Sequence, residues 1–417
     1  MKKKLLIIAV IAILLILLFG FRKSITESEQ KRVTWWEFQS IDTMKYSRDV
    51  SREKLNEPSF DTVIEEQVKN IADTGATHVA IATPYDEEFY PILKRWVDGA
   101  RRHNLQVWFR GNWSGWEGWF GYPKITRAEH IKKTQDFILK HQDIFEDGDV
   151  FSPCPECENG GPGDPRQNGD VLGHRKFLID EYNVTKTAFK AINKNVASNF
   201  NSMNGDVARA VMDKKTTLAM DGIVAIDHYV STPEKLISDI DSIAKASGGK
   251  IVLGEFGAPI PDINGKMTEK QQADWINIAL LKLARTNQVI GISYWTNTGS
   301  STALWSGDGK ARIAAETLKS VFNAPVVSGV VQDEAGGGIG GAYIKVENRY
   351  FFTDSKGNYE FPYIGDSKTI KIETPEFHAK TVTIDPQAPQ LIVLKKEKED
   401  FLFKTKKFIH RIFSFLP

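Results

Sequence analysis

Cysteine is scarce in this sequence, with two residues among 417, so a scaffold held together by several disulfides is excluded. Net charge is almost absent as well, because 54 lysines and arginines balance 53 aspartates and glutamates, which leaves no overall basic field for nucleic acid. Apolar residues are not lacking. They make up 41% of the chain, enough for a sizeable core, so we expect a folded protein rather than a disordered one.

The N-terminus carries a long hydrophobic run. Lys2–Lys4 precede an apolar stretch from Leu5 to Phe21, about the shortest length that spans the ~30 Å hydrocarbon core of a membrane. The run is longer than a typical signal-peptide core and lacks a small-x-small cleavage motif at its end. We therefore favour an uncleaved signal-anchor in residues 1–32 over a cleaved signal, and we expect a membrane-anchored protein whose body is extracytoplasmic.

The last residues, 397–417, mix basic and aromatic side chains. Phe401, Ile409 and Ile412 fall near helical spacing, and Lys404 and Lys407 lie between them. This basic amphipathic pattern fits a helix lying on anionic lipid, and it fits a frayed tail equally well. The sequence leaves both interpretations open.

Between residues 33 and 324, short apolar strands alternate with helical stretches, as in proteins built from βα units around a parallel sheet. Eight such repeats over about 290 residues match an α/β fold of the (β/α)8 TIM barrel type in number and size, and a doubly wound open sheet is the alternative. No Gly-x-Gly-x-x-Gly follows the first strand, so a dinucleotide-binding version of that alternative has no support. The predicted strands are Phe38–Thr43, His78–Thr83, Gln106–Arg110, Asp149–Glu156, Asn195–Phe200, Gly222–Tyr229, Ile251–Phe256 and Val289–Trp295.

Three of the predicted helices carry start signals. Thr126 and Thr268 each precede a Glu or Gln by three residues, as in a capping box, and Pro233 occupies a first helical position. Helices are predicted at Asp61–Thr74, Glu87–His103, Arg127–Phe145, Phe177–Ile192, Pro233–Ala246 and Glu269–Arg285.

From residue 325 to 396 the chain becomes rich in Gly, Val, Ile, Tyr and Thr, with turn signals every ~8–12 residues, which is typical of a small all-β sandwich with antiparallel strands. Three runs, Ser328–Asp333, Gly341–Ile344 and Thr353–Phe361, resemble the carboxypeptidase regulatory-like (transthyretin-like) domain. The resemblance implies a fold but little about function, because such modules are usually non-catalytic appendages. We therefore expect a signal-anchor, a barrel, a β-sandwich and a basic tail, in that order.

Reactive and ligand-binding side chains are expected at the carboxyl ends of the barrel strands, where such barrels build their active sites. The fourth strand ends at Glu156, and the seventh ends near Glu255, so each brings a carboxylate to the barrel mouth. Paired carboxylates across a cleft suit glycosidic bond cleavage, because one protonates the leaving oxygen while the other attacks the anomeric carbon or activates a water. Aromatic side chains suit the apolar faces of sugars, and Asn, Arg and His suit their hydroxyls. The candidate substrate-binding residues are Arg110, Asn112, Trp113, Trp116, Glu158, Asn159, Asn199, Asn201, His228, Tyr229 and Trp295.

Glutamates at the ends of strands four and seven of an eight-stranded barrel resemble the catalytic pair of clan A glycoside hydrolases, which include the family 5 cellulases and mannanases. The run Leu253–Gly257 is similar to the strand-seven pattern of that clan. The resemblance implies that Glu156 is the general acid/base and Glu255 the nucleophile of a retaining double displacement. It also implies that Trp295 lies under the sugar being cleaved, that His228 or Tyr229 orients the nucleophile, and that no metal or organic cofactor takes part.

Strand four departs from the clan's pattern, in which Asn precedes the acid/base and contacts the 2-hydroxyl of the substrate. Here that position is Pro155, so Glu156 and Glu158 are both candidates for the acid/base. On an extended strand the two would share a face, and Glu158 would lie ~6.6 Å further along, towards the loop. We therefore favour Glu156 and place Glu158 and Asn159 among the substrate contacts.

Cys154 and Cys157 form a C-x-x-C pair around Glu156. A structural zinc site would need two further ligands, and no His pair at a suitable spacing supplies them. Residues three apart on a strand lie ~10 Å apart, too far for a disulfide unless the chain turns at Pro155. A disulfide is therefore the less favoured expectation.

The sequence as a whole predicts a membrane-anchored retaining glycoside hydrolase that cleaves β-glycosidic bonds in a poly- or oligosaccharide. The first alternative is a non-catalytic carbohydrate-binding or scaffold barrel at the cell surface, and Pro155 is the feature that favours it. The second is a thiol or metal protein centred on Cys154 and Cys157. Carbohydrate and membrane are the expected partners, and nucleic acid is not.

Overall fold

The structure is a computed structural model that describes residues 32–364 and 369–397. The apolar run predicted as a signal-anchor and the basic tail that follows residue 397 lie outside the described residues. In the part that is described, no helix has the length and apolar character needed to cross a membrane.

Eight parallel strands form the first sheet, in the spatial order β4-β3-β2-β1-β8-β7-β6-β5. Val150 also bridges Ala197, in the segment that leads into β5, so the two edges of the sheet meet and the sheet curls into the predicted barrel. The strands are β1 (Phe38–Asp42), β2 (His78–Ile81), β3 (Gln106–Phe109), β4 (Val150–Phe151), β5 (Met203–Asn204), β6 (Ile223–Asp227), β7 (Lys250–Phe256) and β8 (Val289–Tyr294).

Helices alternate with these strands, and four of the six predicted ones begin within one residue of the predicted start, whereas the predicted Glu87 start lies at Tyr90 and the predicted Phe177 start lies at Val171. Thr126 and Thr268 both complete capping boxes, and the Thr232 side chain accepts a hydrogen bond from the Lys235 N–H, with Pro233 at the first helical position. The helices are α1 (Met44–Ser47), α2 (Ser51–Lys54), α3 (Phe60–Asp73), α4 (Tyr90–Arg102), α5 (Ser114–Glu117), α6 (Arg127–Lys140), α7 (Pro165–Asn168), α8 (Val171–Ala191), α9 (Gly205–Val211), α10 (Lys214–Ala219), α11 (Pro233–Ser247), α12 (Pro261–Asn264), α13 (Glu269–Ala284) and α14 (Ile313–Phe322).

The inside of the barrel is filled by side chains. Trp108 packs edge-on against Phe200, with ring centroids 5.7 Å apart, in a cluster that includes Val150, Ala225 and Val252. A separate, larger core lies around it and includes residues of the helices. Because the interior is closed in this way, a ligand must bind at an end of the barrel.

The fourth strand is much shorter than predicted. It covers Val150–Phe151 rather than Asp149–Glu156, and the chain then turns so that Cys154 and Cys157 form a disulfide with their Cα atoms 5.3 Å apart. The expectation of an extended chain without a disulfide was therefore wrong. Pro155 cannot donate to a sheet ladder, and Glu156 adopts a left-handed backbone conformation with φ of 47°, so pairing cannot continue here.

The fifth strand lies later in the chain than predicted. Of the predicted segment Asn195–Phe200, only Ala197 makes a bridge, to Val150, and regular pairing with β6 begins at Met203. The Asn199 side chain instead donates to the Met220 carbonyl, 2.9 Å away.

After residue 325 the chain forms two small sheets. One has the order β11-β10-β13-β14 and is antiparallel, whereas the other has the order β12-β9-β15 and pairs β15 parallel to β9, a departure from an all-antiparallel sandwich. The resemblance of this segment to the carboxypeptidase regulatory-like domain, and the division of the chain at residue 325, stay predictions. The strands are β9 (Val326–Gln332), β10 (Tyr343–Val346), β11 (Arg349–Phe352), β12 (Asn358–Pro362), β13 (Thr369–Glu373), β14 (Lys380–Thr383) and β15 (Gln390–Val393).

The hairpin of β10 and β11 contacts the barrel. Arg349 donates to the carbonyls of Trp35 and Ala284, and Arg285 forms an ion pair of 2.6 Å with Glu347. Because Trp35 precedes β1 and Ala284 ends α13 ahead of β8, the contact lies at the amino-terminal end of the barrel strands. The hairpin therefore packs on the end of the barrel opposite the carboxyl ends of the strands.

Candidate active site

The two predicted catalytic glutamates both lie at the carboxyl end of the barrel strands. Glu255 is the next-to-last residue of β7 and is buried, opposite Asp227 of β6 in the sheet register. Glu156 follows β4 in the turn between the two cysteines and is half-buried. The charges of Asp227 and Glu156 both act on the pKa of Glu255, so the three carboxyls belong to one electrostatic cluster.

Arg110 provides the positive charge of this cluster. Its Nη2 lies 3.0 Å from Glu255 Oε1 and 3.1 Å from Asp227 Oδ2, while Nη1 donates to the Gly254 carbonyl. Burial works against the charged guanidinium, but the neighbouring carboxylates outweigh it and raise the pKa of Arg110. The sequence predicts Arg110 as a substrate contact, whereas the structure makes it the buried counter-ion of the cluster.

Both carboxylate oxygens of Glu255 accept hydrogen bonds. Oε1 accepts from Arg110, and Oε2 accepts from the Tyr229 hydroxyl at 2.6 Å. Burial raises the pKa of Glu255 well above its usual range, and Asp227 adds to this rise, while Arg110 opposes it. The two hydrogen bonds favour the ionised form, which is the form that a nucleophile requires.

Tyr229, rather than His228, orients Glu255. Burial raises the pKa of the Tyr229 phenol, which therefore stays protonated and donates. The His228 ring lies against α11 instead, with Nε2 2.9 Å from Asp239 Oδ2. The resemblance left these two residues as alternatives, and the geometry separates them.

Trp295 forms an aromatic wall beside the nucleophile candidate. It follows β8, is half-buried, and meets the Tyr229 ring at an interplanar angle of 79° with centroids 6.0 Å apart. The Lys45 ammonium lies 5.7 Å from the Trp295 ring centre. This is where the sequence predicts a platform for a sugar, and the role itself stays a prediction.

Glu156 has the protonation behaviour of a general acid. Its backbone N–H donates to the Ser202 carbonyl at 2.7 Å. Burial, followed by the negative charge of Asp227, raises the pKa of Glu156 to about 7, although Arg110, Arg48 and a hydrogen bond from Asn159 lower it. A carboxyl with such a pKa is partly protonated at neutral pH and can give its proton to a leaving group.

Glu158 is directed into the protein. It is buried, its Oε1 accepts from the Asn204 N–H at 2.6 Å, and burial raises its pKa to about 8. Because the chain turns after β4, the expectation that Glu156 and Glu158 share a strand face does not hold. Exposure now distinguishes them, since Glu156 is the more accessible of the two.

Two asparagines predicted as substrate contacts are buried supports of the disulfide turn. Asn201 Oδ1 accepts from the Cys154 N–H at 3.2 Å. Asn112 Nδ2 donates to Glu117, and its Oδ1 lies 2.9 Å from His130 Nε2. Both side chains hold neighbouring loops, so their predicted contact with sugar has no support in this geometry.

Trp113 and Trp116 lie in the core, 4% and 3% exposed, and not on the open face of the site where the sequence places them. Trp116 stacks on Phe177 with centroids 5.0 Å apart, and a Cβ at Gly161 would come within 2.4 Å of its ring. The glycine-rich loop after β4 therefore covers Trp116. Asn199 points away from the mouth as well, in a surface pocket that Tyr182 also lines.

Four residues of the site were absent from the sequence-based set of candidates, namely Asp42, Glu117, Ser202 and Asp227. The Ser202 hydroxyl donates a hydrogen bond to Asp227 and accepts one from Arg110. Burial raises the pKa of Asp42 to about 6. Burial raises the pKa of Glu117 to about 8, and Glu156 adds to it. The strand-end rule points to Asp42 and Asp227, which end β1 and β6, whereas no sequence signal points to Ser202.

Metal binding has no support among the residues described. No group of three or more His, Cys, Asp or Glu side chains within 32–364 and 369–397 is arranged to hold a metal ion. Every cysteine in the chain is accounted for by the Cys154–Cys157 disulfide. The alternative of a thiol or metal protein centred on these two residues therefore gains nothing from the geometry.

Comparison with known proteins gives matches in structure alone. No protein-family model matches the chain, and neither does any curated protein. The GH5_18 protein from Streptomyces cattleya in complex with Manb1-4GlcNAc has a TM-score of 0.50 at 12% identity, covering 71% of this chain and 85% of that chain. A GH5_18 protein from Bifidobacterium longum, also in complex with Manb1-4GlcNAc, has a TM-score of 0.49 at 13% identity, covering 72% and 83%.

A third solved structure is similar over more of this chain. It is the FMN-binding beta-glucuronidase from Facaelibacterium prausnitzii, with a TM-score of 0.45 at 10% identity, covering 82% of this chain and 54% of that chain. The present chain thus spans about half the length of that protein. Identities this low concern the fold alone, and the fold shared with the Streptomyces cattleya GH5_18 protein agrees with the eight-stranded barrel that the sequence predicts.

Proposed function

We propose that this protein is a retaining glycoside hydrolase in which Glu255 is the nucleophile and Glu156 the general acid/base. The observation that carries the proposal is the contrast between the two carboxyls. Glu255 accepts hydrogen bonds on both oxygens, from Arg110 and Tyr229, which fix its direction and oppose the rise in its pKa that burial causes. Glu156, with a pKa of about 7, is suited to hold a proton and to release it.

The mechanism has two displacements at the anomeric carbon. In the first, a Glu255 oxygen attacks that carbon while the bond to the leaving oxygen breaks and Glu156 gives its proton to that oxygen. In the second, Glu156, now ionised, takes a proton from a water molecule as the water displaces Glu255 from the carbon. Two inversions restore the original configuration.

Neighbouring residues support these steps in different ways. Arg110 and Tyr229 hold the nucleophile, and the Trp295 ring offers an apolar face to the sugar. Asp227 and Asp42 add negative charge near the carbon that becomes electron-deficient, which favours an oxocarbenium-like transition state. These charges raise the pKa of Glu255, and the positive charge of Arg110 opposes that rise.

The proposed substrate is a β-linked poly- or oligosaccharide. The Streptomyces cattleya protein of the same fold was crystallised with Manb1-4GlcNAc, so β-mannosides are the first substrates to test. Loops after β3 and β4 carry specificity in this proposal, because loops at the carboxyl end of a barrel vary independently of the strands.

The test is covalent trapping of the full-length protein with 2-deoxy-2-fluoro β-mannosyl and β-glucosyl fluorides, followed by peptide mass spectrometry. An adduct on Glu255 supports both the reaction class and the nucleophile. The matched control is Glu255→Gln, which keeps the side-chain shape and must not be labelled. No adduct, together with no hydrolysis of the matching aryl glycosides, would instead favour the non-catalytic carbohydrate-binding barrel.

We also propose that the barrel lies outside the cytoplasm and is held to a membrane by residues 1–32. The Cys154–Cys157 disulfide supports an oxidising location, because such bonds are rare in the cytosol. The test of this location is thiol trapping, in which cells are treated with a membrane-permeant alkylating reagent and the protein is unfolded in the presence of that reagent without reductant. Alkylation of both cysteines would show two free thiols and would contradict an oxidising location.

A further inference from the structure

The turn that presents Glu156 is closed by the two cysteines of the chain. Cys154 and Cys157 flank Glu156, and their disulfide forms a ring of four residues in which Glu156 has a φ of 47°. A left-handed conformation is unfavourable for a residue with a Cβ, so it persists only where the surroundings enforce it. The turn is thus a constrained element placed at the carboxyl that the proposed function uses as an acid.

Hydrogen bonds fasten each part of this turn to the barrel. The Cys154 N–H donates to Asn201 Oδ1 at 3.2 Å, and the Glu156 N–H donates to the Ser202 carbonyl at 2.7 Å. The Trp116 indole N–H donates to the Cys157 carbonyl at 3.2 Å. Ser202 in turn bonds Asp227, so the acid turn is connected to the ring of charges around the nucleophile candidate.

The disulfide is suited to positioning rather than to redox exchange. Cys154 is 0% exposed and Cys157 is 2% exposed, so neither sulfur is open to a thiol reagent in the folded protein. The bond closes a very short loop, and a short loop contributes less to overall stability than a long one. Its main effect is therefore local, on the conformations open to Pro155 and Glu156.

We propose that the Cys154–Cys157 disulfide is a positioning element that holds Glu156 where it can protonate the leaving oxygen. This inference rests on the proposed function, since it concerns the acid of that reaction. It assigns the cysteines no bond making or breaking during turnover. Without the disulfide the turn has more conformations available, and the carboxyl spends less time within reach of the glycosidic oxygen.

Acid catalysis contributes about 10²- to 10⁴-fold to a rate, and only when the leaving group needs a proton. A phenyl glycoside needs that proton, whereas 2,4-dinitrophenolate leaves without one. We therefore compare kcat/KM, which reports the first displacement, for phenyl and 2,4-dinitrophenyl β-mannosides and β-glucosides. For the full-length Cys154→Ala/Cys157→Ala protein we expect kcat/KM to fall about 100-fold on the phenyl glycoside and less than about fivefold on the dinitrophenyl glycoside.

Two further variants make the result decisive. Glu156→Ala defines the pattern of a missing acid, and the double cysteine variant must follow it. Asn201→Ala keeps the disulfide, loses the bond to the Cys154 N–H, and should show a smaller loss with the same preference for the phenyl glycoside. If the cysteine variant does not fold, Asn201→Ala still tests whether the disulfide turn positions Glu156, because an equal loss on both glycosides would contradict it.

An equal loss on both substrates, or no loss on either, would overturn the positioning role while leaving the glycosidase intact. A wild-type protein that hydrolyses neither pair would refute the proposed function itself, and the inference would fall with it. The two failures are therefore distinguishable in the same experiment.

Discussion

Arg110 is the residue whose removal most directly tests the charge arrangement of the site. Replacing it with methionine keeps an apolar side chain of similar length and removes the guanidinium that pairs with Asp227 and Glu255. Breaking a buried ion pair by deleting one partner costs about 3–5 kcal/mol, because the other charge is left unpaired. We expect the free energy of unfolding of Arg110→Met to fall by that amount at pH 8.

The loss should depend on pH in a defined direction. Burial raises the pKa of Glu255 and of Asp227 above their values of ~4 in the unfolded chain. At pH values between the unfolded and the folded pKa, the folded protein therefore binds more protons than the unfolded chain. Because carboxyls with raised pKa values must lose protons in the folded protein, the free energy of unfolding decreases as the pH rises through this range. Removing Arg110 raises both pKa values further, so the loss is largest at pH 8 and shrinks towards pH 5.

The assay is urea unfolding at pH 5 and pH 8, followed by circular dichroism. The matched control is Arg102→Met, because Arg102 pairs with Glu65 at 2.7 Å on the surface, where an ion pair is worth less than about 1 kcal/mol. An Arg110→Met loss at pH 8 no greater than that of the control would refute the assignment of Arg110 as counter-ion. A loss that grows towards pH 5 would refute the pKa reasoning.

Three further predictions follow from single contacts. Tyr229→Phe removes the hydrogen bond to Glu255 Oε2 but keeps the ring near Trp295, so kcat on an aryl β-glycoside should fall about 10- to 100-fold with an unchanged melting temperature; a smaller loss would contradict the orienting role. His228→Asn should keep kcat on the same aryl β-glycoside within about twofold of the wild-type value, because His228 contacts Asp239 of α11 rather than Glu255. A tenfold loss would contradict this assignment of His228. Glu158→Gln keeps the acceptor for the Asn204 N–H and removes a carboxyl whose pKa burial raises to about 8. Its gain in unfolding free energy should therefore be larger at pH 8 than at pH 5, by on the order of 3 kcal/mol, and equal gains would contradict the shift.

Most of the barrel could be predicted because its signals are local. Capping at Thr126 and Thr268 depends on residues three positions away, and apolar runs gave β7 and β8 to within one residue at each end. The fourth and fifth strands failed for a non-local reason. Their apolar runs are present, but the pairing partners are set by the disulfide turn and by the single bridge of Ala197, which depend on how the barrel closes.

The site was predictable to the level of strand ends and no further. The strand-end rule brought Glu156, Glu255, Tyr229 and Trp295 to the mouth, because the carboxyl ends of parallel strands meet at one edge. It could not distinguish a tryptophan that faces solvent from one covered by a glycine-rich loop, and so it misplaced Trp116. The direction of a side chain at a strand end is decided by packing rather than by spacing.

Pro155 favoured the non-catalytic alternative in the sequence, and the structure changes its meaning. Pro155 has a fixed φ angle, and the disulfide joins Cys154 and Cys157, which flank Pro155 and Glu156. Together the proline and the disulfide form one constrained turn around Glu156. A departure from the clan's pattern that only lost function would need no such constraint.

The ring of charges argues in the same direction. Asp42, Asp227, Glu156 and Glu255 surround one guanidinium, and burial raises the pKa of each of these carboxyls, which lowers the stability of the fold at neutral pH. A scaffold that only binds sugar would be more stable with apolar residues at these buried positions. Clusters that reduce stability in this way are typical of sites that carry out chemistry, so the cost of this arrangement is itself a reason to prefer the enzyme.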